Sequence, residues 1–147
     1  MIAVRVEIDP DLRGPDPEVT KALLRHVLKA EGVPEADVTL VFGDDELLRG
    51  LKKTFFKKDQ FTDVIAFRLN DYNEPTVEGE LYVSLPRAEE NARELGEPFP
   101  KEVGRLIVHG GLHLLDYRDH TSEEKQQMQS LEDRYLDQFP WETLFNT

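Results

Sequence analysis

The chain has 147 residues, 18 basic and 30 acidic side chains for a net charge of −12, and no cysteine. That length fits one domain able to bury a core without covalent staples, and the absence of cysteine excludes disulfides, thiolate metal sites, iron–sulfur clusters and a thiol nucleophile. The net charge argues against a nucleic-acid partner, since phosphate binding runs on Lys and Arg, but residues 49–58, RGLKKTFFKK, hold five basic and no acidic residues, leaving 13 basic against 30 acidic, or −17, on the rest.

Ile2, Val4, Val6 and Ile8 alternate with polar residues and predict a strand with one buried face. The same alternation leaves no apolar core for a secretion signal. Asp16-Pro17 is an N-cap followed by proline at the first helical position; Val19, Leu23, Leu24, Val27 and Leu28 follow at helical spacing, and Gly32 stops the helix. Val38, Leu40 and Phe42 predict a second strand, parallel to the first if the intervening helix makes a βαβ unit. Asp44 caps a helix whose apolar side carries Leu47, Leu48, Leu51 and Phe55, which places Phe55 in the core.

Thr62–Phe67 and Glu80–Ser84 are short β-rich runs joined by turn chemistry in Asn70–Pro75, and predict an antiparallel pair. Pro86 opens a helix that ends at Gly96. Lys101–Leu115 is an apolar helix, and Thr121 with Glu124 makes a capping box for a last helix with Met128, Leu131 and Tyr135. An aromatic tail, FPWETLF, packs back. The expected fold is α+β: one domain over 1–147, a small mixed four-stranded sheet packed with about five helices. The longest charge-free apolar stretch, around Leu106–Leu115, contains two histidines and is far short of the roughly 20 residues of a membrane span. A soluble, cytoplasmic protein with no membrane partner is expected.

Three of the four histidines fall in Val108–His120, VHGGLHLLDYRDH. His109 and His113 are four apart on a helix, so they share a face and can share a metal. Asp119 follows His109 by ten residues and His120 by eleven, and either can be a third donor. The spacing is similar to the zincin pattern HExxHxxGxxH, in which the chain turns back after the second histidine. Here Asp116 stands at the turning glycine, and aspartate tolerates the left-handed conformation that turn needs. Gly110 stands at the peptidase glutamate, so a metallopeptidase mechanism is disfavoured. His26 has no partner in the sequence and is expected to be exposed. Ser84 reads as a helix cap, not a nucleophile.

HGGLHLLDYRDH resembles the HGxLHLxGYDH signature of the YbeY endoribonucleases, bacterial rRNA maturation factors. Thr62–Phe67, TDVIAF, is similar to that family's TDVLSF strand, and Gly79–Val83 with Arg87–Ala92 is similar to its next strand and helix start. The order and spacing agree from residue 38 to residue 136. The resemblance implies a metal-dependent, single-strand-specific endoribonuclease acting in ribosomal RNA maturation and ribosome quality control. The partners it implies are ribosomal RNA, the small ribosomal subunit and ribosome-assembly proteins. It implies one divalent ion, zinc in the first instance, held by His109, His113 and Asp119, with His120 as the alternative third ligand. Asp119 then replaces a histidine; a carboxylate leaves less positive charge on the ion and admits harder metals such as Mn²⁺ or Fe²⁺. Phe56 stands where the family has an arginine thought to support RNA cleavage, and Phe61 replaces a proline. Lys52, Lys53, Lys57 and Lys58 are the candidate RNA-backbone contacts. Exposed aromatics among Phe55, Phe56 and Phe61 can stack on bases. Asp63, as an acid orienting a ligand histidine, and Arg68, at the end of its strand, are candidate supports for catalysis. The alternatives are a non-catalytic ribosome-assembly factor with a structural metal, and a metallohydrolase of another substrate.

Overall fold

β1 (Ile2–Ile8) and β2 (Ala36–Gly43) are joined by helix α1 (Pro17–Ala30) and run parallel, in register from Ile2 opposite Ala36 to Ile8 opposite Phe42. In the computed structural model, which describes residues 1–145, this βαβ unit is extended by two further strands. β4 (Val77–Ser84) pairs parallel with β2, and β3 (Val64–Arg68) pairs antiparallel with β4, giving the order β1-β2-β4-β3. The mixed sheet and the five helices agree with the sequence expectation. β4 starts earlier than the alternation around Glu80–Ser84 implies, because Val77 and Gly79 also pack inward. The last two residues of the expected 1–147 domain lie outside the described residues.

The register assigns each strand residue a face. Val6, Leu40, Leu81 and Ala66 share the inner face; Arg5, Thr39, Glu80 and Phe67 share the outer one. α1 and α4 (Phe99–Leu114) cover the inner face, and Leu23, Leu24, Leu28, Leu106, Ile107 and Leu112 are buried between the layers. α3 (Leu85–Leu95) and α5 (Ser122–Asp137) flank α4. Helix α2 (Asp45–Phe56) packs against β3 and β4 from the opposite side: Phe55 and Phe56 lie against Phe67, with ring centroids 5.3 and 5.9 Å away.

The caps read from the sequence form. Asp16 accepts from the amides of Glu18 and Val19 at 2.8 and 3.2 Å, and loss of such a cap costs about 1 kcal/mol. Ser84 accepts from the Arg87 amide and donates to Asp45 at 2.6 Å. Thr121 and Glu124 complete the capping box. The tail packs down as expected: Leu144 is buried and Phe145 lies 4.9 Å from Phe99.

Two expectations are corrected. Phe55 is not core: it is 62% exposed, and Leu48 is the buried residue of α2. α2 covers only the margin of the sheet, so an apolar stripe of full helical length finds no second layer. His26 is half-buried and partnered, with Nε2 2.9 Å from the Gln138 amide oxygen and its ring edge-on to Tyr135.

Candidate metal centre

Helix α4 presents Glu102, Arg105, His109 and His113 at positions i, i+3, i+7 and i+11, one stripe along its side. Gly110, between the histidines, turns the other way. A Cβ there would stand 3.0 Å from a Leu81 methyl and 3.2 Å from a Val64 methyl. The position of a peptidase glutamate is therefore the contact between α4 and the sheet. After Leu114 the chain reverses at Asp116, which adopts φ 72°, the left-handed conformation anticipated for it. The reversal brings Asp119 back to the histidines.

His109 Nε2 and His113 Nε2 are 2.9 Å apart, and Asp119 Oδ2 lies 3.4 and 3.6 Å from them. Four ligands at about 2.0–2.1 Å around a tetrahedral ion stand about 3.3 Å from one another, so the triangle matches one face of such a site. The donor chemistry points the same way. His109 Nδ1 lies 2.6 Å from Glu132 Oε2, and His113 Nδ1 lies 2.8 Å from the Tyr117 carbonyl oxygen. Both oxygens accept a hydrogen bond from a protonated Nδ1, which leaves both Nε2 lone pairs aimed at each other beside a carboxylate. Acceptors so close are reconciled by a cation between them. Burial, and then the neighbouring His109 imidazole, hold the His113 pKa below its ordinary value, which favours the neutral, metal-binding ring. Among the described residues, His109, His113 and Asp119 are the group of histidine and acidic side chains placed to hold an ion.

The supports of this triad come from distant parts of the chain. Glu132, on α5, is 4% exposed, and its other oxygen accepts from Arg105 at 3.2 Å. Glu102, 1% exposed, receives two guanidinium bonds from Arg105 at 2.7 and 2.6 Å. Burial opposes the Arg105 charge, but the two carboxylates outweigh it and hold its pKa above the ordinary value. On the other side, the Tyr117 hydroxyl donates to Glu31 Oε1 at 2.5 Å, and the Tyr135 hydroxyl donates to Glu31 Oε2. Glu31 closes α1, so three segments are tied beneath His113. A cleft of about 420 Å³ between α3, α4 and α5 opens onto His109 and Asp119; Leu95, Lys101, Lys125, Met128 and Asp133 line it.

The remaining site candidates lie elsewhere. Asp63 accepts from Asn91 at 3.0 Å rather than from a histidine. Arg68 turns back on the backbone and donates to the carbonyls of Leu114, Asp71, Glu74 and Thr76. It anchors the end of α4 and has no free fork. His120 donates its amide to Glu124 and stands outside the triad. Lys52 lies over the Phe56 ring at 4.9 Å, and Lys57 terminates α2 in the left-handed conformation. Phe61 is covered by the Arg49 and Arg87 guanidinium groups at 5.1 and 5.0 Å. Sequence reasoning missed Glu132, Glu102, Arg105 and Glu31. The first three had a signal: Glu102 and Arg105 share the histidine stripe, and Glu132 is a charged residue among the apolar positions of the last helix. Glu31 had none.

The fold and this triad together define an α+β protein whose α4 carries a zincin-like pair of histidines, placed with Asp119 to hold an ion, and lacks the peptidase glutamate. The family model for endoribonuclease YbeY matches residues 15–140. The chain belongs to the YbeY endoribonuclease family. It is 38% identical over 123 residues to the endoribonuclease YbeY of Chlorobium phaeobacteroides (strain BS1), covering 84% of this chain and 88% of that protein. It is 37% identical over 133 residues to that of Geobacillus thermodenitrificans (strain NG80-2), covering 83% and 85%. The solution structure of TM1509 from Thermotoga maritima superposes with a TM-score of 0.64 at 26% identity, over 92% of this chain and 87% of that one.

Proposed function

We propose that residues 1–147 form one metal-dependent endoribonuclease domain that cleaves single-stranded RNA in ribosomal RNA maturation and ribosome quality control. Its partners are ribosomal RNA, the small ribosomal subunit and ribosome-assembly proteins, and its location is the cytoplasm. Among the described residues, no helix is long and apolar enough to cross a membrane. The observation that carries the proposal is the pair of opposed Nε2 lone pairs beside the Asp119 carboxylate, in a chain of this family. His109, His113 and Asp119 hold one divalent ion, with zinc the best match to two imidazoles and a carboxylate. When bound, such an ion polarises a phosphodiester oxygen and acidifies water.

The chain's own residues bind and orient. Glu132 and the Tyr117 carbonyl hold the two imidazoles with their ligand atoms facing inward. Lys52, Lys53, Lys57 and Lys58 supply the cationic surface for the RNA backbone, and the −17 charge of the rest repels RNA elsewhere. Phe55 and Phe56, 62% and 43% exposed beside those lysines, offer rings to unstacked bases. Asp63 and Arg68 act on structure: one holds Asn91, the other the end of α4.

The test is cleavage of single-stranded RNA by the purified protein, lost on chelation and in His113→Ala. One observation favours a second reading as an assembly factor with a structural metal: position 56, an arginine in the family signature, is a phenylalanine stacked on Phe67. Ribosome association that survives His113→Ala, with no cleavage by either protein, would establish that alternative.

A further inference from the structure

Arg105 stands between two almost fully buried carboxylates and touches neither the ligand triad nor the proposed substrate surface. Its Nε and one terminal nitrogen grip Glu102, and the other terminal nitrogen reaches Glu132 Oε1 at 3.2 Å. Glu132 gives its second oxygen, Oε2, to His109 Nδ1 at 2.6 Å. A glutamate terminal torsion is broad and poorly fixed by its own rotamers. One contact would leave the carboxylate plane free to turn. Two contacts on different oxygens fix that plane and, with it, the direction in which the imidazole is held. Arg105 is itself fixed, because its planar fork meets Glu102 through two bonds. Glu102 is held in turn by Asn91, whose amide nitrogen donates to Glu102 Oε2 at 3.1 Å and to Asp63 Oδ2 at 3.0 Å. The chain Asp63–Asn91–Glu102–Arg105–Glu132–His109 thus runs from the loop before β3, through α3, α4 and α5, to a ligand atom.

We infer that Arg105 is a positioning residue for the ligand His109, acting through Glu132 and held in place by Glu102. This rests on the metal-centre reading of the triad. The ligand's second nitrogen is addressed through a shared carboxylate, so the aim of Nε2 depends on a guanidinium two side chains away. A lysine, a point charge without the fork, cannot hold both carboxylates in one plane.

The experiment uses Co²⁺ as the probe, added to the metal-free full chain in competition with a chromophoric chelator, and reads both the affinity and the visible spectrum of the bound ion. In Arg105→Met the Co²⁺ affinity falls by about 10–100-fold, the range for outer-shell partners of metal ligands, and the visible bands shift. Arg105→Lys falls between this and the parent. Glu102→Gln, which leaves Arg105 in place but loosens its grip, moves both readouts in the same direction, and it serves if Arg105→Met does not fold. Lys21→Ala, on α1 and outside both the chain of contacts and the cleft, leaves both unchanged. Folded Arg105 and Glu102 variants with parental affinity and spectrum overturn the inference, even if they are less stable, because Arg105 is then structural only. A parent protein that binds no Co²⁺ refutes the metal-centre reading itself, a distinct result.

Discussion

Glu31 is the test of how the centre is anchored. It closes α1, far in sequence from the ligands, and accepts the hydroxyls of Tyr117 and Tyr135. Tyr117 in turn offers its carbonyl to His113. Replacing Glu31 by alanine removes two hydrogen bonds to a charged group and strands the hydroxyl of Tyr135, which is 3% exposed. At about 1.5–3 kcal/mol for each such bond, and taking the lower end because Glu31 is half in solvent, the loss is about 3 kcal/mol. A chain of this length then melts roughly 6–12 °C lower. Glu31→Gln, with one acceptor oxygen, loses about half as much.

The same contacts set a pH dependence. The Glu31 hydrogen bond, and then burial, push the Tyr117 hydroxyl from 10.0 up to about 12; burial, and then Glu31, raise Tyr135 as well. A raised value means the fold favours the protonated hydroxyl. That stabilisation is complete below the unfolded value near 10 and is lost as the pH rises toward about 12. Urea unfolding across this window should show stability falling in the parent protein and falling less in Glu31→Ala. A phenolate absorbance titration should show one tyrosine returning toward 10. A stability loss below about 0.5 kcal/mol, the range of a plain surface substitution, with an unchanged tyrosine titration, would refute the reasoning.

Asp119→Asn should weaken metal binding by at least the roughly 10–100-fold seen when an outer-shell partner is lost, while His120→Ala should leave the chelator-competition curve unchanged; the reverse would exchange the third ligand. Replacing Lys57 and Lys58 with glutamate should weaken single-stranded RNA binding and lower the salt-dependence slope by about 1.4, at about 0.7 per phosphate contact, with the melting temperature unaltered. Equal slopes would remove α2 from the RNA surface. Gly110→Ala gains about 1 kcal/mol of helix propensity but meets Leu81 and Val64 at 3.0 and 3.2 Å, and overpacking of that kind costs about 1–3 kcal/mol. A net loss of about 1 kcal/mol in urea unfolding is expected, and a stabilised variant would mean that the gap between α4 and the sheet is slack.

The elements were legible because their signals are local. Alternation in Ile2–Ile8, the Asp16-Pro17 cap and the Thr121–Glu124 box each depend on residues within one turn or strand, and each formed as read. The two histidines and Asp119 were legible for the same reason: spacing on one helix and one reversal places them. What supports them was not, because Glu31 and Glu132 reach the site only once α1 and α5 have packed on α4. Phe55 shows the opposite error. Periodicity says that a helix has an apolar side but not that a second layer exists to cover it, and at this margin of the sheet none does. Arg68, at the end of β3, and Asp63, just before it, were candidates for a catalytic role, yet the register turns Arg68 toward the carbonyl of Leu114, and α3 puts Asn91 beside Asp63.

α4 and α2 lie on opposite faces of the sheet and both pack on β3, which stands at one rim of the order β1-β2-β4-β3 among the described residues. A polymer bound as proposed, both to the lysines of α2 and at His109 and Asp119, turns around that rim. Stiffness decides what can do so. A double helix bends reluctantly, with a persistence length of about 150 base pairs for DNA, so it lies along one face or the other. A single strand reorients at each nucleotide and can follow the rim. On the proposed assignment of lysines and metal ligands, the thickness of the sheet itself favours unpaired nucleic acid, before any base is contacted.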